Sequence, residues 1–118
     1  MLIRIDGDSA TAIFDQVAAS VRSDILASRL APGDRLPPAR EVAAALDINV
    51  HTVLRAYQQL RDEGLVDLRR GRGAVISASA APLSDLAHDI HALVGRAAAL
   101  GISPATLASL VKETTYES

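Results

Sequence analysis

The sequence contains no cysteine and no tryptophan, and only three of its 118 residues are aromatic, namely Phe14, Tyr57 and Tyr116. The absence of cysteine excludes disulfides, thiolate metal sites and thiol nucleophiles. No apolar run approaches the roughly 20 residues that span a bilayer, and no basic segment leads into an apolar one at the N-terminus. We therefore expect a soluble cytoplasmic protein with one compact, aliphatic and mainly helical core, and at most a small appendage.

The charge is nearly balanced overall but unevenly distributed along the chain. Acidic residues outnumber basic ones by 14 to 12, and a net charge of −2 is a weak argument against nucleic-acid binding. However, residues 35–73 contain seven arginines and five acidic residues, and three of these arginines fall within residues 69–72. Because exposed charges are screened within about 10 Å, this local cluster matters more than the total.

Three helices are predicted in the first 64 residues. A short arm, residues 1–9, leads to the cap of the first helix, which should end near Ser28 and carries an apolar stripe made of Ile13, Phe14, Val17, Val21, Ile25 and Leu26. A turn at 30–34 follows, and Pro38 is suited to the first position of the second helix. The apolar face of that helix consists of Val42, Ala43 and Leu46.

The third helix has clear start and stop signals. The side-chain oxygen of Asn49 can accept from the backbone N–H of His51 or Thr52, so Asn49 is expected to cap a helix that begins at about Val50. Its buried stripe should comprise Val53, Ala56, Tyr57 and Leu60, and Gly64 is placed to end it in the left-handed conformation. Two short helices joined by three or four residues are typical of a helix-turn-helix.

Two strand-like runs, 65–68 and 74–77, flank a basic segment that contains two glycines. They predict a β-hairpin, which is marginal alone and must pack on the helices. A helix-turn-helix followed by a hairpin is a winged helix, so residues 1–77 should form a mainly α winged helix-turn-helix domain. The hairpin tip could lie along phosphates or enter a minor groove, because glycine allows close approach and arginine supplies charge.

The remaining residues predict a dimerisation segment. The small residues and proline of 78–82 indicate a linker, and beyond it apolar residues recur at steps of three and four, as in a heptad seam, at Leu83, Leu86, Ile90, Leu93, Ala97 and Leu100. A second helix, capped by Ser103, has an apolar side made of Leu107, Leu110 and Val111. Two such helices cannot bury these faces alone, so 83–118 is expected to pair with a second copy of the chain.

Six sequence motifs occur in order between residues 13 and 76: IFDQV at 13–17, LAPGDRLP at 30–37, REVA at 40–43, TV at 52–53, EGLV at 63–66 and RGRG at 70–73. Together they resemble the N-terminal domain of the GntR family of bacterial transcriptional regulators. Only about 40 residues follow Ser77, and two short helices there resemble the YtrA-like subfamily, whose tail serves chiefly to dimerise. The resemblance implies a repressor that binds double-stranded DNA and often controls a neighbouring ABC-transporter operon.

The resemblance also implies which residues contact DNA. Arg40 and Arg55 are expected on base edges or adjoining phosphates, and Thr52 at the N-terminus of the third helix suits a phosphate. The other expected contacts are Asn49, His51 and the wing residues Arg70, Gly71, Arg72 and Gly73.

Some positions depart from the family pattern. Val50 and Leu54 stand where many members place arginines that read base edges, and Pro38 and Ala39 also replace more usual residues. These two arginine contacts are therefore absent, and the operator of the larger subfamilies cannot be transferred.

Several of the polar residues also have a purely structural interpretation. Asn49 is a helix cap whatever else it does, and Thr52 could be an ordinary surface residue. Tyr57 is predicted to lie in the core, whereas Arg61 and Arg69 are predicted to be solvated. Arg35 is predicted to pair with Asp34 or with the first helix.

No enzyme, metal site or cofactor is predicted. His88 and His91, near Asp85 and Asp89, have a spacing that can hold a metal, but their heptad positions face outward. No base, nucleophile and orienting residue form a set. Two functions remain: a homodimeric regulator that binds an inverted repeat, or a protein-interaction module without specific DNA binding. The sequence leaves a small-molecule effector open; one could act by changing the spacing of two winged helices.

Overall fold

The computed structural model describes residues 3–9 and 11–114 and divides the chain into two units, one up to Asp85 and one from Leu86. The first unit contains three helices, α1 (Ile13–Leu26), α2 (Ala39–Leu46) and α3 (Val50–Asp62), and two strands, β1 (Val66–Arg69) and β2 (Gly73–Ile76). A 3-10 helix, Ala78–Leu86, follows. The second unit contains α4 (Ala87–Ala99) and α5 (Pro104–Glu113). This is the predicted mainly α winged helix-turn-helix with a small hairpin.

The core of the first unit lies between α1 and α3. On α1 the buried residues Val17, Val21 and Ile25 recur every four residues, which places them on one face of the helix. The buried residues of α3 are the four predicted ones, Val53, Ala56, Tyr57 and Leu60. The start of α1 differs from the expectation, because Ala12 holds the N-cap position without a side-chain cap and the Ser9 hydroxyl instead accepts from the N–H of Thr11.

The turn between α2 and α3 has the geometry of a helix-turn-helix. Pro38 is the N-cap of α2 and not its first residue, because its ψ of 140° is extended. Asp47 ends α2 in the left-handed conformation, and Ile48 donates back to the carbonyl of Ala43. Asn49 then caps α3 as predicted, accepting from the N–H of His51. Only two residues, Ile48 and Asn49, therefore separate the αL residue from the first turn of α3.

The hairpin is not isolated. Strand β1 pairs antiparallel with β2, with Val66 opposite Ile76 and Arg69 opposite Gly73. On the other edge of β2, residues 33–36 run antiparallel to it: Leu36 donates to Ala74, and Ile76 donates to Asp34. A segment that reads as a turn in the sequence thus supplies a third line of backbone hydrogen bonds, which anchors the wing to the helices.

The structure places residues 78–82, predicted as a linker, and Leu83, predicted as the first residue of the heptad seam, in the first unit. Residues 78–82 belong to the 3-10 helix, in which Ala80 is buried and Leu83 packs against the core of the first unit. A 3-10 helix has three residues per turn, so these two side chains lie above one another on one face. Pro82 lacks the N–H that would donate to the carbonyl of Ala78 in a continuous α-helix, so an α-helix running from Ala78 into α4 would lose one hydrogen bond there.

The second unit is a helix pair. Its turn is closed by Gly101 in the left-handed conformation and by the N–H of Ile102, which donates to the carbonyl of Ala97. Ser103 caps α5 by accepting from the N–H of Thr106, with Pro104 at its first position. Ala97, predicted on the seam, is buried within the chain, whereas other apolar residues of this unit are exposed, namely Leu86, Ile90, Leu93, Val94, Leu100, Leu110 and Val111.

Within the described residues, no single helix is long and apolar enough to cross a membrane; the stretches 78–99 and 104–113, bent against each other, would be so only in combination.

Candidate nucleic-acid interface

The N-terminus of α3 is ordered by its cap. The Asn49 Oδ1 atom accepts from the N–H of His51 at 2.8 Å, and Thr52 donates to the Asn49 carbonyl at 3.0 Å. The side chain of His51 is exposed and that of Thr52 is half-buried. The positive end of the helix dipole favours an anion at this position, and Thr52 adds a hydroxyl donor. The cap and a phosphate contact are compatible roles for this turn.

The outward face of α3 is opposite its buried stripe. At 100° per residue, His51, Arg55 and Gln58 project away from Val53 and Leu60, and all three are exposed. Leu54 lies beside them and is 40% exposed. This face therefore combines hydrogen-bonding side chains with one apolar residue, and it carries a single arginine.

Arg55 is held by an aromatic ring. Its guanidinium carbon lies 3.8 Å from the centre of the Phe14 ring, at the start of α1. The ring is half-buried and packs against the core, while Arg55 remains exposed. This contact was not predicted from the sequence, because the two residues are far apart along the chain. The only signal was the single phenylalanine, which is a member of the predicted apolar stripe of α1.

The tip of the wing is a basic turn. Gly71 and Gly73 both have positive φ, and Arg72 donates to the carbonyl of Arg69 at 3.1 Å. Arg70 and Arg72 are exposed, as a phosphate contact requires. Arg69 is also exposed but lies 3.6 Å from the carboxylate of Asp67, so part of its charge is neutralised.

Arg35 supports the wing. Sequence analysis paired it with Asp34 or the first helix, but its Nε atom donates to the carbonyl of Arg72 at 3.2 Å. The carboxylate of Asp34 instead accepts from the N–H of Ala31 and closes the preceding turn. The backbone pairing of 33–36 with β2 explains the difference, because it carries Arg35 to the hairpin.

An open groove of about 540 Å³ separates α3 from the wing. One wall carries Leu54 and Gln58 of α3, and the other carries Leu68 and the arginines of the wing. At its base the hydroxyl of Tyr57 donates to the Pro37 carbonyl at 2.6 Å. Tyr57 is 3% exposed, which confirms that it is a core residue, and burial raises the pKa of its hydroxyl.

The structure thus places the wing residues opposite Leu54 and Gln58 of α3 across one groove. Arg40 is exposed on the first turn of α2 but does not line this groove. Asn49, His51, Thr52 and Arg55 also lie outside its lining. The candidate interface is therefore a surface composed of two helices and a hairpin rather than a single pocket.

One ion pair was not foreseen. Arg22 of α1 binds both carboxylate oxygens of Glu63 after α3, at 2.7 and 2.6 Å. These hydrogen bonds lower the pKa of Glu63 and raise that of Arg22. The pair fixes the end of α3 against α1, at the opposite end from the Phe14–Arg55 contact. Arg61 is exposed and lies 3.3 Å from Asp62, in agreement with a solvated role.

The histidines of α4 are exposed. Across 3–9 and 11–114, no group of three or more His, Cys, Asp or Glu side chains is arranged to hold a metal ion, so His88 and His91 belong to no such group.

The chain is similar to known regulatory proteins. Residues 13–76 match the family described as "Bacterial regulatory proteins, gntR family". The HTH-type transcriptional repressor YtrA of Bacillus subtilis is 39% identical over 79 residues, which are 67% of this chain but only 61% of that protein. The HTH-type transcriptional regulator Rv1152 of Mycobacterium tuberculosis is 34% identical over 101 residues, 86% of this chain and 84% of that protein.

A solved structure shares the fold. YtrA from Sulfolobus acidocaldarius, a GntR-family transcription factor, superimposes with a TM-score of 0.61 at 33% identity, covering 84% of this chain and 99% of that one. The likeness therefore extends beyond the winged helix.

Proposed function

Since the chain belongs to the GntR family of bacterial regulatory proteins and is a YtrA-like member of it, we propose that it is a sequence-specific transcriptional repressor that binds operator DNA as a homodimer. Family membership makes residues 13–76 a DNA-binding domain, and the chain is regulatory rather than enzymatic. The observation that carries the proposal is the exposed outward face of α3 beside a basic, glycine-bearing wing tip.

In this proposal the wing supplies affinity. Arg70 and Arg72 are exposed on a turn whose glycines allow the backbone to approach a phosphate. Each phosphate that is neutralised releases counterions, so binding should weaken steeply with salt. Thr52 and the capped N-terminus of α3 would add an uncharged phosphate contact.

In this proposal, side-chain hydrogen-bond donors on α2 and α3 recognise the bases. Arg55 and Arg40 are both exposed, and a bidentate arginine on guanine O6 and N7 contributes about 1–3 kcal/mol of discrimination. His51 projects from the first turn of α3, where side chains of a recognition helix reach base edges. Asn49 remains a candidate, although its Oδ1 atom is already used by the cap.

The homodimer rests on the second unit. Its exposed apolar side chains include Ile90, Leu93, Leu110 and Val111. Exposed apolar patches of this kind mark protein–protein contacts, so we expect a second copy of the chain to bury them. The family resemblance assigns dimerisation to this segment. A two-fold dimer would place its α3 helices in successive major grooves about 34 Å apart, so the operator would be an inverted repeat.

Repression is carried over from the relatives named as repressors, and control of a neighbouring ABC-transporter operon from the YtrA-like resemblance. The site of action would be the cytoplasm, where bacterial DNA is accessible. No effector is assigned to either unit.

The test is a gel-shift titration of the protein against its own upstream intergenic DNA, with unrelated DNA of equal length as competitor. Retention that survives the competitor and is lost in Arg70→Ala/Arg72→Ala supports the proposal. Arg61→Ala is the control for charge removal: it removes one exposed positive charge, from a residue paired with Asp62, and its effect is compared per charge with that of the double variant.

Two results would contradict the proposal. Equal loss with Arg61→Ala would indicate a general charge effect rather than a wing contact. No retention by protein that light scattering shows to be dimeric would favour the alternative, a protein-interaction module. If a fragment is retained, footprinting of that fragment tests the inverted repeat.

A further inference from the structure

The stacking of Arg55 on Phe14 joins two parts of the molecule with different roles. Phe14 is the second residue of α1, outside the helix-turn-helix, and its half-buried ring is fixed by packing on the core. Arg55 lies on the outward face of α3 with its guanidinium carbon 3.8 Å from the ring centre. A rigid side chain thus holds the end of a flexible, exposed one.

The geometry of the contact leaves Arg55 able to bind. A cation–π contact uses the face of the planar guanidinium, whereas its five N–H donors lie in the plane and point away from the ring. Among the described residues, Arg55 forms no ion pair and no side-chain hydrogen bond. Its donors are therefore not used within the part of the chain that is described.

Restricting the side chain before binding has an energetic consequence. An unrestrained arginine loses rotamer freedom when it engages a base or phosphate, and that loss opposes binding. A guanidinium already stacked on a fixed ring has lost part of this freedom in the free protein. The contact should therefore favour DNA binding without touching DNA.

We propose that Phe14 is a positioning residue for Arg55: its ring orients the guanidinium on the outward face of α3 for contact with operator DNA. This inference rests on the proposed function, since it concerns how one of the proposed DNA contacts is prepared. It adds a residue of α1 to the determinants of DNA affinity.

The test is a double-mutant cycle on the full chain, with the retained upstream fragment as the probe. The four proteins are wild type, Phe14→Leu, Arg55→Ala and the double variant. Leucine keeps an apolar side chain on the core but lacks the π face. We expect Phe14→Leu to weaken binding about two- to fivefold, as for an exposed cation–π contact, and to have no further effect once Arg55 is alanine.

Two further variants separate positioning from stability. Phe14→Tyr keeps the face of the aromatic ring and should bind DNA with wild-type affinity. Ile13→Ala alters the neighbouring residue, which also packs on the core, and should lower the melting temperature while leaving affinity unchanged well below it.

Each other outcome overturns the inference. Phe14→Leu could bind as well as wild type, bind more tightly because the ring had sequestered Arg55, or weaken binding equally in the Arg55→Ala background. Those results leave the proposed function intact, because wild type still retains its fragment. Failure of wild type to retain any fragment would overturn both.

Discussion

The hydroxyl of Tyr57 should contribute measurably to stability, because it ties α3 to the segment that leads into α2. Tyr57→Phe removes the 2.6 Å hydrogen bond to the Pro37 carbonyl and leaves that half-buried oxygen without this donor. Loss of a neutral hydrogen bond costs about 0.5–1.5 kcal/mol, and more where the partner stays unsatisfied. For a chain of this size roughly 1–2 kcal/mol corresponds to a fall in melting temperature of about 4–8 °C at neutral pH.

The same residue should make stability sensitive to alkali. Burial raises the pKa of Tyr57 in the folded state, whereas in the unfolded chain it is about 10. Above pH 10 the unfolded state releases the proton while the folded state keeps it, so the unfolding free energy falls as pH rises. The slope approaches about 1.4 kcal/mol per pH unit for one proton. Tyr57→Phe lacks this term.

The assay is a series of thermal melts between pH 8 and pH 11 for both proteins, in a Tyr116→Phe background that removes the only other tyrosine. The two melting temperatures should converge as pH rises. Absorbance at 295 nm should show that Tyr57 ionises only as the protein unfolds. The reasoning is refuted if Tyr57 ionises near pH 10 in folded protein, or if the melting temperatures stay equally separated throughout.

Three other perturbations test separate parts of the molecule. Arg70→Ala/Arg72→Ala should reduce the slope of log affinity against log salt by about 1.8, which a titration from 50 to 200 mM measures; an unchanged slope would remove the wing from the phosphate contacts. Glu63→Gln should lower the melting temperature by roughly 4 °C or less at pH 7, since the pair with Arg22 is partly exposed. The lowered pKa of Glu63 means that this contribution is present above about pH 4.3 and is lost as pH falls through the folded pKa, so wild type and variant should converge in acid. Leu93→Glu should shift the protein to monomer in light scattering, and a dimer of unchanged strength would exclude this face of α4 from the interface.

Local chemistry made most of the first unit predictable. The cap at Asn49 and the left-handed Gly64 depend on neighbouring residues, and the sequence analysis placed both where the structure has them. The buried stripe of α3, with Tyr57 in it, follows from helical periodicity. The strands are displaced by one residue, to Val66–Arg69 and Gly73–Ile76, because their ends are set by pairing across the hairpin.

The heptad pattern did not predict the 3-10 helix at 78–86, because both arrangements can repeat an apolar residue after three positions. Leu83 and Leu86 fit a heptad step of three residues, but that step is also one turn of a 3-10 helix. Pro82 disfavours a continuous α-helix through this region. Leu83 packs against the buried apolar residues of the first unit. A heptad count alone contains no information about such competing partners.

Contacts between distant residues could not be predicted from the pattern. Arg22 and Glu63 are 41 residues apart, and Arg35 and Arg72 are 37 apart. In each case the two residues meet because separate elements pack together, and no local sequence pattern relates the two positions to each other. The DNA-contact nominations depended on family position for the same reason.

The departure at Val50 and Leu54 bears on how sequence recognition would be distributed over the interface. Where many family members have arginines, this chain has a half-buried and an exposed apolar side chain, so the outward face of α3 retains Arg55 as its only cation. The wing arginines add charge but are expected on phosphates, which carry no sequence information directly. In the proposed complex, discrimination between operators would therefore depend on few side chains. An interface in which the outward face of α3 offers one arginine would gain more from having that arginine already oriented than an interface with several arginines on this face, because Arg40 on α2 is the only other arginine proposed to read bases beside Arg55.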